Sequence, residues 1–143
     1  MKLKLYLVPF TVFVITALSA AIANALQLYL FKYIILGASV VYIAGGWYFF
    51  RGYFPNAKTS TLFFYGYAYS SITGALAFSA FTWPMYNIFL WAGLFWIAAV
   101  QAVLWSQRNI LPARGLVTMT AENIAFIILI MYHLFFAFHT SFD

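Results

Sequence analysis

The stretch LVTMTAENIAFIILIMYHLFFAF, residues 116–138, decides how this chain is read. It is long enough to cross a bilayer as a helix rising about 1.5 Å per residue. It also contains Glu122, the only acid in any membrane-length run of the chain, and His133, one of two histidines. In a helix these two positions fall within roughly 20° of one face and about 16 Å apart along the axis. The stripe Glu122, Phe126, Leu129 and His133 is therefore expected to face one partner, with the remaining helices built around this one.

The rest of the composition agrees. A chain of 143 residues that is 66% hydrophobic and 6% charged cannot fold as a soluble globule, because about a quarter of an ordinary soluble domain is charged. The reading is all-α, a polytopic transmembrane helix bundle forming one domain over residues 1–143, with spans near 5–23, 33–50, 62–81, 85–104 and 116–138. Connections are expected at Asn24–Lys32, Arg51–Thr61, Thr82-Trp83-Pro84 and Trp105–Gly115, where polar residues, Gly and Pro gather. The first run also has the features of a secretory signal: Lys2 and Lys4, an apolar middle with Pro9, then Ala21-Ile22-Ala23-Asn24-Ala25. Its length favours a retained span, and cleavage would leave four spans.

Charge sets the threading. With the N-terminus inside, the inner segments carry Lys2, Lys4, Arg51, Lys58, Arg108 and Arg114, and the outer ones carry only Lys32, a split of six to one. Positive residues concentrate on the cytoplasmic side, so the expectation is N-in and C-out in a bacterial or archaeal plasma membrane. The net charge of +5 comes from scattered single residues and forms no nucleic-acid patch.

Few residues can carry chemistry. An ionised carboxylate at mid-bilayer costs at least about 2.5 kcal/mol. Glu122 is therefore expected to form an ion pair with Arg108 or Arg114 near the inner surface, with a proton or ligand role as the alternative. Asn87, Gln101 and Asn123 are candidates for hydrogen bonds that tie helices together. His133 and His139 invite haem, but six residues on one helix separate them by about 120° in azimuth, so they cannot grip one haem from opposite faces. No cofactor is predicted, haem and quinone being the weaker alternatives, and no metal site or nucleophilic constellation is evident.

Gly66, Ser70 and Gly74, like Ala17, Ala21 and Ala25, recur every four residues and permit close helix packing. Aromatics make up 23% of the chain. Trp47, Tyr48, Phe49, Phe50, Tyr53, Trp83, Tyr86 and Trp105 read as interfacial belts. Phe63, Phe64, Tyr65, Tyr67 and Tyr69, with Phe89, Trp91, Phe95 and Trp96, are candidates to line a groove for a flat apolar molecule. In size, span number and aromatic richness the chain resembles the tryptophan-rich translocators. Thr82-Trp83-Pro84-Met85 does not reproduce that family's Trp-Pro-Pro segment, and no residue carries over.

The expected function is that of a non-enzymatic integral-membrane subunit or scaffold, partnered by the bilayer and by other membrane chains or further copies of itself. The alternative is a small carrier or receptor for a quinone, sterol or tetrapyrrole, using Glu122, His133, Tyr65, Tyr69 and Asn87.

Overall fold

The computed structural model describes the backbone of residues 2–26, 29–81 and 84–140, and side chains over 7–23, 29–48, 50–81 and 84–135. Thr82, Trp83, Asp143 and the side chains of Lys2, Lys4, Ala25, Phe49 and His139 therefore lie outside the described residues. Within them the chain is all-helical: α1 (Lys2–Leu26), α2 (Tyr29–Phe49), α3 (Thr59–Ala80), α4 (Tyr86–Ser106) and α5 (Ala113–Thr140), with a 3₁₀ turn at Phe50–Gly52.

Helices extend further than composition suggested. Asn24 and Lys32 belong to helices rather than to a connection, because neither residue type breaks a helix in the way Gly or Pro does. Lys32 is 7% exposed, and its ammonium stands 4.8 Å from the centre of the Tyr29 ring. α5 starts three residues before Leu116, just after Pro112. The Leu116 N–H bonds to Pro112 O at 3.0 Å, which closes the first turn behind a residue that has no N–H to offer.

The bundle is organised around α3, not around α5 as the sequence suggested. Thirteen of the 22 residues of α3 are buried, against five of 21 in α4, and α3 packs on all four other helices. Side-chain pairs set the directions. Gly66 and Ser70 of α3 meet Gly46 and Ser39 of α2 in reverse order, so those helices are antiparallel. Phe78 and Tyr67 of α3 likewise meet Phe89 and Trp96 of α4. Tyr69 and Ser79 of α3 meet Asn123 and His133 of α5 in the same order, so α3 and α5 run parallel.

Among the described residues three helices are long and apolar enough to cross a membrane, over Tyr29–Tyr48, Tyr86–Ser106 and Ala113–Phe135. In α1 the apolar stretch among the described side chains, Leu7–Ala23, is shorter, and α3 is too polar to qualify. The reason for α3 is its position. Tyr65, Tyr69, Ser70, Thr73 and Ser79 are buried against neighbouring helices, while large apolar side chains on α2, α4 and α5 turn outward, among them Leu30 at 67% exposed, Phe95 at 69% and Ile128 at 63%. Apolar-out and polar-in is the reverse of a water-soluble bundle.

Candidate functional site

Glu122 sits about 14 Å along α5 from the helix start, 2% exposed. Its hydrogen-bond partners are tyrosines rather than arginines. The Tyr53 hydroxyl donates to Glu122 Oε1, and the Tyr69 hydroxyl lies 3.4 Å from Glu122 Oε2. Arg114 stands about two helical turns nearer the start of α5, about 12 Å along the axis. Arg108 folds onto its own helix end, donating to Trp105 O at 2.9 Å with its guanidinium 4.6 Å from the Trp105 ring centre.

Local chain geometry delivers Tyr53. After α2 the 3₁₀ turn is closed by Tyr53 N–H and Phe54 N–H, both bonding to Phe50 O, at 3.0 and 3.1 Å. This folds the chain back under the bundle. Gly115, in the first turn of α5, then admits it: a Cβ there would lie 2.5 Å from Tyr53 O and 2.9 Å from the Phe54 ring. Phe50 and Tyr53, expected in an interfacial belt, are instead 1% exposed, because the docked turn carries them inward. The Phe50 ring packs on those of Tyr42, Tyr65 and Tyr69, at 5.9, 6.2 and 5.1 Å.

From Tyr69 a directed chain of hydrogen bonds crosses three helices. The Tyr69 hydroxyl donates to Asn123 Oδ1 at 2.7 Å, Asn123 Nδ2 to Gln101 Oε1 at 2.9 Å, and Gln101 Nε2 to Thr120 Oγ1 at 3.2 Å. Each amide in this path accepts at its oxygen and donates from its nitrogen, so the bonds run in one direction from the Tyr69 hydroxyl to Thr120. The arrangement is a lateral brace at one depth of the bundle, tying α3, α4 and α5 to the docked turn.

His133 belongs to a second, separate site. It is 1% exposed, with Nδ1 2.9 Å from Ser79 Oγ and Nε2 3.3 Å from Ala20 O. A carbonyl only accepts, so Nε2 carries the hydrogen and Nδ1 receives the Ser79 hydroxyl, an arrangement that satisfies a neutral imidazole at both nitrogens. Fully buried Phe126 and Ile130 lie between the two sites along the inner face of α5. Phe126 is held edge-on by Phe13 and Tyr69, each at 5.3 Å. Glu122 and His133 therefore share a helix face but no common site. Replacing His133 with leucine should lower stability by about 1–2 kcal/mol, and Ser79→Ala by about 0.6 kcal/mol, the usual range for hydrogen bonds between membrane helices. Unfolding in SDS would measure both, and equal midpoints for H133L and the parent would show that the tie contributes nothing.

The remaining candidates are dispersed. Tyr65 is buried, and its hydroxyl has no hydrogen-bond partner among the described residues. Asn87 lies on the outside of α4, in a groove of about 440 Å³ shared with Trp91, Met131, Leu134 and Phe135. The expected single aromatic groove is divided. Tyr67, Phe89 and Trp96 line a hollow between α3 and α4, Tyr65 and Tyr69 are interior, and Phe63, Trp91 and Phe95 face outward, 52%, 61% and 69% exposed. Ser79, and Tyr53 beyond its place in the belt, carry no signal of these roles in the sequence, since each meets its partner across more than 50 residues.

The described residues thus form a helical bundle with three helices apolar and long enough for a membrane, braced inside by two polar clusters. Against known proteins the chain matches no family model, no curated protein and no solved structure.

Proposed function

We propose that the chain is a single-domain integral-membrane bundle of five spans, N-in and C-out in a bacterial or archaeal plasma membrane, and acts as a non-enzymatic subunit or scaffold. One observation carries this reading: the buried polar side chains of α5 are engaged with groups of α1, α3, α4 and the turn after α2, while the large unsatisfied surface is apolar and faces outward. Binding energy is then available on the outer faces, toward lipid and other membrane helices. α1 and α3, of 25 and 22 residues, have the length of a span, about 37 and 33 Å. The polarity of α3 is shielded by its neighbours. Arg51, Lys58, Arg108 and Arg114 gather at the helix ends assigned to the inside.

The groove that holds Asn87 favours a second reading, a carrier or receptor for a lipophilic ligand, because one amide in an otherwise apolar hollow can orient the polar end of such a molecule. Native mass spectrometry from gentle detergent separates the two. A subunit should release with foreign chains in fixed ratio, whereas a carrier should appear alone or as a homo-oligomer with a small molecule bound. Tags at the two ends should report from opposite compartments, and tags in the same compartment would overturn the five-span threading.

A further inference from the structure

The end of the bundle formed by the turn after α2 and the α4–α5 connection is basic, with Arg51, Lys58, Arg108 and Arg114 on it. Among the described residues the one carboxylate is Glu122, buried beneath this end and sealed by Tyr53. Two of the basic groups are folded back onto the protein. Arg51 donates to Pro55 O at 3.3 Å and to Thr59 Oγ1 at 3.0 Å, and Arg108 lies on Trp105. Lys58 is exposed and borders a cavity of about 330 Å³ that opens between the two connections.

The walls of that cavity differ in kind. Lys58, Asn56, Thr61 and Gln107 supply one cation, two amides and a hydroxyl, while Ile110 and Leu111 supply an apolar wall. Ile110 is 76% exposed at the tip of its connection, an arrangement that costs free energy in water but not against acyl chains. Lys58 also immediately precedes α3, without a side-chain cap hydrogen bond at that helix start, and so stands at the positive end of the helix dipole. Trp105, 60% exposed and stacked under Arg108, marks the depth at which aromatic and basic side chains meet lipid headgroups.

We propose that this cavity binds the phosphate of an anionic phospholipid, with Lys58 as the counter-ion, Asn56, Thr61 and Gln107 on the phosphate and glycerol oxygens, and Ile110 against the first acyl carbons. The proposal rests on the membrane reading given above, in which this end lies at the bilayer surface. Resistance of the membrane-bound chain to alkaline carbonate extraction is therefore established first, since release at that stage would sink the membrane reading itself.

The purified full chain in detergent is then titrated with short-chain phosphatidylglycerol, phosphatidylcholine of the same chain length, and inorganic phosphate, reading the melting temperature. Phosphatidylglycerol should raise it saturably and phosphatidylcholine much less. Lys58→Ala should weaken the phosphatidylglycerol response about fivefold or more, the effect of removing one cation near an anionic surface, and Lys58→Arg should restore it. Because Lys58 is exposed, the ligand-free melting temperature of K58A should equal that of the parent, which separates loss of binding from loss of fold. A saturable response to inorganic phosphate that is equally sensitive to K58A would keep the phosphate site but assign it to free phosphate. Equal responses to the two lipids, or no effect of K58A, would overturn the proposal.

Discussion

Gly46→Leu is expected to force α2 away from α3 and to cost about 3 kcal/mol or more, the upper end of what overpacking a tight interior does. Even the first side-chain atom has no room. A Cβ on Gly46 would lie 2.6 Å from Gly66 Cα, and one on Gly66 would lie 2.8 Å from Tyr42 O. These neighbours are backbone atoms, which cannot rotate aside as a side chain can. The contact also sets the spacing on which Ser39 and Ser70 depend. Each hydroxyl donates to the other residue's carbonyl at 2.8 Å, a reciprocal pair that a small shift in helix spacing would break. The damage should reach the Glu122 cluster as well, because Phe50, just beyond the end of α2, holds the rings of Tyr42 and Tyr69. Gly37→Ala is the control: nothing lies within 4 Å of a Cβ there, so its effect should stay within about 0.5 kcal/mol. Reversible unfolding in SDS, or thermal aggregation in detergent, would compare the two. A Gly46→Leu variant with the midpoint of the parent would mean that the backbone approach of α2 and α3 does not hold the bundle together.

How far such features could be read beforehand depends on whether a periodicity or a long-range meeting decides them. The inward stripe of α5 follows from helical spacing alone: Glu122, Phe126 and His133 are buried together on one face, with Leu129 half-buried beside them. The partners of that stripe do not follow from spacing. An arginine was the natural expectation for Glu122 because Arg108 and Arg114 are near in sequence, yet Tyr53 is 69 residues away and is brought in by a backward fold that Gly115 admits. The central helix was hidden for a related reason. Hydropathy scores a residue by its type and so finds the helices that face lipid, while α3, rich in Tyr, Ser and Thr, is interior because its neighbours answer its polar groups. Aromatic type was equally silent about direction, leaving Tyr53 and Tyr69 inside and Trp91 and Phe95 outside.

Glu122 gives the second large effect, and the pattern across substitutions matters more than any single value. Glu122→Leu should cost about 2–3 kcal/mol, because the Tyr53 hydroxyl loses a charge-capable acceptor in a place that water does not reach. Glu122→Gln should cost less than about 1 kcal/mol: the amide oxygen still accepts from Tyr53, and the new N–H₂ can donate to the Tyr69 oxygen, whose own hydrogen goes to Asn123. Tyr53→Phe removes the opposite end of the same bond, so the double variant E122L/Y53F should be little worse than E122L alone, a coupling of about 1 kcal/mol or more. Additive losses would mean that the two side chains act independently despite their contact. The Gln variant also tests what the carboxyl is for. A brace needs only an acceptor at that position, so E122Q should keep its partners in native mass spectrometry. A folded, correctly inserted E122Q that loses them, or loses all activity, would show that the acidic proton itself is used, and the cluster would then be a working site rather than a tie between helices.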